Sequence, residues 1–429
     1  MVNSVQKILS EQIKKIQPNS LELEPIRKFT KDFIVQLEKE IALNNINADV
    51  FVGGSFAKGT FLKSNNYDVD IFVRFDWKYV QLSESLEKII IPLCKRLKLK
   101  TESIHGSRGY FRVYHPNSKG YFEIIPVTKI KKPQEERNIT DLTYFHGPYV
   151  IKRIKGLEDQ VRLTKQFFKA QRVYGAETYV RGFSGYTVEL LIIKYKSFIK
   201  LIKELLKFDY TQRAVIDIEK AYKNKNEAFI HINEAKLHSP IILIDPTYKE
   251  RNAMAALSSE TLLKIQNSIK LFMKKPSLDF FVLREPDAEI LKKNALKKKQ
   301  QFLQIKLATE KQHGDIAGTK MKKFAEVLHR ELNNYFSVKN TDFFYNGEQT
   351  AIFYVALTTK KEIIRIGPPI SMKKHATRFK SQHSNTFIKN KRVHARLPVL
   401  NDARAFLDSW KIASKKMISQ MNITDVQVD

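Results

Sequence analysis

The segment Gly53 to Val73, GGSFAKGTFLKSNNYDVDIFV, constrains the fold more than any other part of the chain. The run YDVDIFVRF at 67–75 has the β-branched and aromatic content of a strand, yet carries two aspartates. Side chains alternate across a strand, so Asp68, Asp70 and Phe72 share one face. Val69, Ile71 and Val73 take the other face and point into a core. Two carboxylates side by side repel unless a cation lies between them. Oxygen-only donors suit Mg²⁺, which keeps waters and substrate phosphates in its shell. Upstream, Gly53-Gly54-Ser55 opens a short helical piece, SFAKGT. Glycines let backbone N–H groups point at an anion, and a helix N-terminus adds a favourable dipole. Gly54, with the Ser55 hydroxyl and the Lys58 ammonium, therefore reads as a triphosphate cradle in front of a metal-binding strand. The bland alternative, two aspartates lining a wet sheet edge, leaves the glycine turn unexplained.

Around this segment, strands and helices alternate, which predicts a mixed α/β domain. Apolar residues recur at helical spacing over 1–47, with Pro18 and Pro25 as breaks. Strands are predicted at 48–52, 67–75, 109–114 and 120–127, with a turn at HPNSKG, and a helix at 83–98. After Thr140 helical periodicity dominates, at 157–173, 184–207 and 258–273. The Lys-rich run ILKKNALKKKQQFLQIKLA reads as a solvated helix face. Residues 324–336 read as a helix. TDFFYNGEQTAIFYVAL reads as a hairpin, with Asn346-Gly347 supplying the positive φ angles of a tight turn.

Charge narrows the partner. Lys and Arg number 75 against 45 acids, a formal net charge of +30 over 429 residues. Such an excess makes sense opposite a polyanion, with nucleic acid first and an anionic membrane second. No apolar run reaches membrane-spanning length and the N-terminus lacks a signal-peptide core, so a soluble, cytoplasmic protein with no membrane partner is expected. The single cysteine, Cys94, allows no internal disulfide and reads as a core residue.

The Gly-Ser turn followed by a D-x-D strand resembles the signature of the polymerase-β-like nucleotidyltransferase superfamily. That resemblance implies a third carboxylate on a nearby strand. GYFEIIPV offers Glu123, the other acid nearby, Glu102, being expected before the strands. An aspartate is commoner there, and the longer arm shifts the carboxylate by one methylene. In such a set two Mg²⁺ ions about 4 Å apart activate an attacking hydroxyl and stabilise leaving pyrophosphate. Asp68 and Asp70 would share both ions, and Glu123 would hold the one nearest the hydroxyl.

Three more stretches, NITDLTYFHGPYVIKRIKGLEDQVRLTKQFFKAQRVYGAET, YVRGFSGYTVELLIIKY and IDPTYKERNAMAALS, are similar to the archaeal, class I CCA-adding enzymes. The resemblance covers residues 40–285 closely and fades through the basic C-terminal third. It implies an α+β multidomain protein: a polymerase-β-like nucleotidyltransferase head (1–140), a helical neck (141–275), an α/β body (276–310 and 385–429) and a tail (311–384). It implies Mg²⁺, CTP and ATP, and addition of C, C and A to the 3′ end of tRNA without a nucleic-acid template. A homodimer is compatible with it but not derivable from the residues. By position, Thr143 and His146 would contact the nucleotide, Lys165 and Tyr174 its sugar and triphosphate, and Arg251 the edge of the base. Taken alone, Lys165 is a helix-surface lysine, Tyr174 a packing aromatic, His146 a structural histidine and Arg251 a surface ion pair.

Lys389, Lys391, Arg392 and Arg396 are expected to meet phosphates of the acceptor stem, positioning it without reading its sequence. Two other readings stay open: a different RNA 3′-nucleotidyltransferase such as an oligo(A) polymerase, and a catalytically silent RNA-binding scaffold.

Overall fold

The structure, a computed structural model, describes residues 2–64, 66–116, 120–311 and 313–429. The centre of the predicted HPNSKG turn, residues 117–119, lies outside them. The chain divides into two compact units, Met1–Leu283 and Arg284–Asp429.

The first unit opens with helices α1 (Val2–Ile16) and α2 (Ser20–Leu43). Pro18 separates them, as expected, but Pro25 lies inside α2. Asn19 caps that helix by accepting from the Leu21 N–H at 3.0 Å, and the helix buries Leu23, Ile26, Phe33, Leu37 and Ile41. A proline this close to a helix start removes one hydrogen bond, which such burial offsets. A five-stranded sheet follows. Its strands are β1 (Ala48–Val52), β2 (Tyr67–Phe75), β3 (Thr101–Ile104), β4 (Tyr110–Tyr114) and β5 (Gly120–Thr128), in the order β1-β2-β5-β4-β3. A one-turn helix, α3 (Gly54–Ala57), joins β1 to the β2 approach, and α4 (Leu82–Leu97) covers the back. Glu102, expected before the strands, lies in β3 at the sheet edge. Cys94 is buried on α4, its thiol pushed up to about 11 by burial.

The rest of this unit is mainly helical: α5 (Thr143–Ile154), α6 (Glu158–Ala170), α7 (Gly185–Tyr195), α8 (Phe198–Leu205), α9 (Lys225–His231) and α10 (Ser259–Lys274). A small sheet of β6 (Ala214–Ile216), β7 (Ile241–Asp245) and β8 (Tyr248–Asn252) sits among them. The predicted helix over 184–207 is two helices, because Lys196 takes a left-handed conformation (φ 67°) and Ser197 starts a new cap. The unit has two main apolar cores. Leu9 and Ile16 of α1 pack with the helical core around Phe167, Phe198 and Phe272, whereas α2 packs with the sheet around Ile71, Val73 and Ile124. The first helix thus belongs to the helical layer, not to the sheet domain in which the sequence division 1–140 put it.

The second unit begins with α11 (Ala288–Lys297) and β9 (Gln301–Ala308). The Lys-rich run is therefore half helix and half strand. In β9, Leu303, Ile305 and Leu307 are buried on one face at period two. After α12 (Asp315–Tyr335) come β10 (Phe336–Tyr345) and β11 (Thr350–Thr359), the expected hairpin. Its loop has four residues rather than two: Gly347 has φ 98°, while Asn346 accepts the Glu348 N–H through its side chain. The remaining elements are β12 (Ile363–Pro369), α13 (Lys373–Gln382), β13 (Thr386–Lys389), β14 (Arg392–Leu397), α14 (Ala403–Ala413), α15 (Lys415–Gln420) and β15 (Asp425–Val428). The main sheet runs β10-β11-β9-β15, all antiparallel, and β12-β14-β13 forms a separate sheet. Residues 301–308, 336–359 and 425–428 thus share one sheet, which the sequence division into 311–384 and its flanks would cut. Among the described residues no helix is long and apolar enough to cross a membrane.

Candidate active site

The β2 strand alternates as its sequence requires. Val69, Ile71, Val73 and Phe75 are buried against the back of the sheet, while Asp68, Asp70 and Phe72 take the front. β5 runs parallel to β2 and places Glu123 directly beside Asp70. The three predicted carboxylates therefore come from two adjacent strands. Gly53 donates its N–H to the Asp70 carbonyl at 2.9 Å, which ties the glycine turn to the strand. The turn has no room for side chains. A Cβ on Gly53 would lie 2.5 Å from the Phe72 ring, and one on Gly54 would lie 1.6 Å from Asp70 Oδ2. Gly54 also has φ 62°, a region costly for other residues. Gly54→Ala is accordingly expected to push Asp70 out of place. Thermal melts should show a loss of more than about 1 kcal/mol, and nucleotide addition should fall by about tenfold or more.

Asp70 is half-buried beneath this turn. Burial first, then the charges of Asp68 and Glu123, push its carboxyl up to about 7, against the pull of Lys58 and Lys165. Burial likewise raises Glu123, while Arg112 opposes it. Arg112 stands across from Glu123 on β4 and grips its Oε1 through Nε at 3.0 Å and Nη2 at 2.9 Å. Among the described residues no three His, Cys, Asp or Glu side chains close into a metal cage. The donor set nonetheless fits Mg²⁺: oxygen ligands only, on neighbouring strands, with a half-buried carboxylate whose ionisation its acidic neighbours oppose.

In front of Asp70 opens a cavity of about 400 Å³. Gly54, Lys58, Asp70, Thr143 and His146, all singled out in the sequence, line it together with Tyr186. Thr143 begins α5, with its methyl over Gly53. Ser55 sits in the first turn of α3.

Lys165 and Tyr174 lie behind this wall. Lys165 is a buried residue, not a helix-surface one. It donates to Thr60 Oγ1 at 3.1 Å and lies 3.5 Å from Glu189 Oε1. Burial lowers its ammonium to about 8 against the opposing charge of Glu189. Lys58 pairs with the other oxygen of Glu189, at 2.6 Å. One turn beyond Lys165, Lys169 lies over the Tyr174 ring at 5.2 Å, within the field of Asp68. Burial, Glu189 and Asp68 drive the Tyr174 hydroxyl far upward, so it is a neutral donor.

The stretch RGFSGY has a physical account. A Cβ on Gly182 would lie 2.0 Å from the Val173 carbonyl oxygen, and one on Gly185 would lie 2.9 Å from the Tyr174 hydroxyl. Phe183 is fully buried, and Ser184 caps α7 by accepting the Thr187 N–H at 3.2 Å. Tyr186 stacks on His146 with ring centres 3.9 Å apart. Both converge on Asp245 at the end of β7, His146 through Nε2 at 3.0 Å and Tyr186 through its hydroxyl at 2.9 Å. Arg251 donates to the same carboxylate at 2.6 Å, as do the Thr247 N–H and hydroxyl, each at 2.8 Å. Burial opposes ionisation of Asp245, but the hydrogen bond and charge of His146 and the charge of Arg251 hold it far below the usual range. His146 is lowered, chiefly by burial.

Sequence reasoning missed Glu189, Asp245 and Arg112. Two of them had a signal: an acid in the apolar helix YTVELLIIKY, and an acid ending the apolar strand IILID.

In the second unit, Lys389 ends β13 and Lys391 lies in the tight β13–β14 turn, where Asn390 (φ 48°) and Lys391 (φ 57°) both take positive φ. Both lysines are exposed. Arg392 donates Nε to the Gly367 carbonyl at 2.9 Å, and Arg396 pairs with Glu362 at 2.7 Å.

A five-stranded sheet with paired aspartates behind a glycine turn defines a nucleotidyltransferase fold. The Cid1 RNA terminal uridylyl transferase shares it, with a TM-score of 0.51 at 14% identity over 66% of this chain and 99% of that one. Residues 159–282 match the family described as tRNA nucleotidyltransferase, second domain. The CCA-adding enzyme of Nanoarchaeum equitans is 34% identical over 80% of this chain and 81% of its own length. That of Methanocaldococcus jannaschii is 30% identical over 92% and 88%. The chain belongs to the CCA-adding enzyme family.

Proposed function

We propose that this protein adds C, C and A in turn to the 3′ end of tRNA, using CTP and ATP and no nucleic-acid template. The observation that carries the chemistry is Asp70, which lines a nucleotide-sized cavity and stands beside Asp68 and Glu123. Asp68, Asp70 and Glu123 would hold two Mg²⁺ ions, which would supply charge stabilisation for in-line attack of the RNA 3′-hydroxyl on the α-phosphate and release of pyrophosphate. Gly54, Ser55 and Lys58 receive the triphosphate through backbone N–H groups, a hydroxyl and an ammonium. Lys165, fully buried, supports that charge from behind. Thr143, which lines the cavity, contacts the nucleotide. His146 is held in one orientation by its Asp245 hydrogen bond and Tyr186 stack. Arg251 presents its remaining N–H donors to the acceptor edge of the base. Lys389 and Lys391, exposed at a hairpin tip, meet tRNA phosphates, and Arg392 and Arg396 stand behind them. Such contacts position the RNA without reading its sequence.

The test uses three tRNA transcripts, ending before CCA, after the first C and after the second C. Each is given one of CTP, ATP, GTP or UTP with Mg²⁺, and product length is read on a gel. The expected pattern is two C additions to the first, one to the second, and a single A on the third alone. Repeated A addition to any of them would assign an oligo(A) polymerase, and tRNA binding without addition a silent scaffold.

A further inference from the structure

Glu189 occupies the apolar helix α7 with its side chain 1% exposed, and it gathers donors from two other segments. Lys58 Nζ lies 2.6 Å from its Oε2. Thr60 Oγ1 donates to its Oε1 at 2.8 Å, and Lys165 Nζ stands 3.5 Å from that oxygen. Thr60 and Lys165 are sealed from solvent. Lys58 is not: it lines the cavity together with Gly54 and Asp70. The Lys58–Glu189 bond is therefore the one link of this network that a ligand in the cavity can reach. Two ammonium groups on one carboxylate also leave a net positive charge there, which suits an incoming anion.

We propose that Glu189 is a positioning residue, the resident counter-ion of Lys58, from which a bound triphosphate takes Lys58 over. The inference rests on the assignment of Lys58 to triphosphate binding. Before nucleotide arrives, the carboxylate holds Lys58 at the cavity wall and keeps two like charges together. When triphosphate oxygens accept from Lys58 Nζ, Glu189 keeps Thr60 and Lys165, so no buried group loses all its partners. Binding must break the 2.6 Å pair. Removing the negative charge should then tighten triphosphate binding while loosening the placement of Lys58. Mere structural damage would weaken binding.

The experiment is calorimetric titration of the full chain, without tRNA, using ATP, inorganic tripolyphosphate and adenosine. Glu189→Gln is expected to bind ATP and tripolyphosphate about five- to tenfold tighter, a coupling typical of one close charge pair, with adenosine unchanged. In steady state KM for ATP and kcat should fall together. Lys58→Ala should weaken ATP binding, and the gain should vanish in the double variant, which lacks the released cation. Wild-type or weaker triphosphate binding by Glu189→Gln, or a shift for adenosine as well, overturns the counter-ion role. Unchanged ATP affinity in Lys58→Ala overturns the triphosphate assignment of Lys58 itself, and the inference with it. If Glu189→Gln does not fold, Glu189→Asp retracts the carboxylate from Lys58 by one methylene. It should shift both triphosphate ligands in the same direction by about two- to threefold, and no tightening there also overturns the role.

Discussion

Asp70→Asn should lower nucleotide addition by at least about a thousandfold while leaving tRNA affinity within about twofold. The variant removes the charge that holds the cation but keeps the shape of the strand and its backbone bond to Gly53. Rapid-quench assays with saturating tRNA measure the first effect and filter binding the second. The same residue predicts a pH signature. Its carboxyl, pushed up to about 7, must ionise to hold a cation. Addition at limiting Mg²⁺ should therefore rise through neutral pH, and more Mg²⁺ should move that limb to lower pH, because cation and proton compete. Stability without divalent ions carries the opposite sign. A raised carboxyl pKa favours the folded state below about 4, and that contribution is lost as pH rises through about 7. Asp70→Asn should thus melt higher than wild type at pH 8 and show no such advantage near pH 4. A pH-independent difference would mean that Asp70 is not held among like charges.

Asp245→Ala should be the most destabilising single change in the first unit. One buried carboxylate there serves His146, Tyr186, Thr247 and Arg251. Truncation leaves the Arg251 charge and several donors without their acceptor, a loss of about 3–5 kcal/mol. That corresponds to a fall of on the order of 10 °C in the melting of that unit. Asp245→Asn keeps the shape and should lose less stability. It frees Arg251 and His146 from a common anion, so discrimination of CTP against UTP should drop by about tenfold or more. A melt within 2–3 °C of wild type for Asp245→Ala, an effect of only about 1 kcal/mol, would show that the carboxylate is not the hub its distances describe.

Much of the catalytic half was legible because its chemistry breaks local rules. Charged residues in an apolar strand and paired glycines before a four-residue helix are costly without a ligand, so they stand out in sequence. Asp68, Asp70, Gly54, Lys58, Thr143 and His146 were found in this way or by resemblance, and the fold brings Gly54, Lys58, Asp70, Thr143 and His146 to one cavity. What stayed hidden is what acts through tertiary contact. Glu189 lies 131 positions from Lys58, and Asp245 lies 99 from His146. No periodicity reports such pairs. Lys165 read as a surface lysine because spacing cannot tell a solvated ammonium from one facing a buried carboxylate. The Lys-rich run misled for a related reason. Gln304 and Lys306 alternating with Leu303, Ile305 and Leu307 suit one face of a sheet as well as a helix, and only pairing with β11 and β15 decides.

The most direct measurement is the mass of the product made from a tRNA transcript lacking CCA, given CTP and ATP together with Mg²⁺. An unstructured RNA of equal length and the Asp70→Asn variant serve as controls. The account predicts a gain of two C and one A on the tRNA, then a stop, with little addition to the unstructured RNA and none by the variant. A growing ladder of A on both RNAs, or full activity in Asp70→Asn, would contradict it.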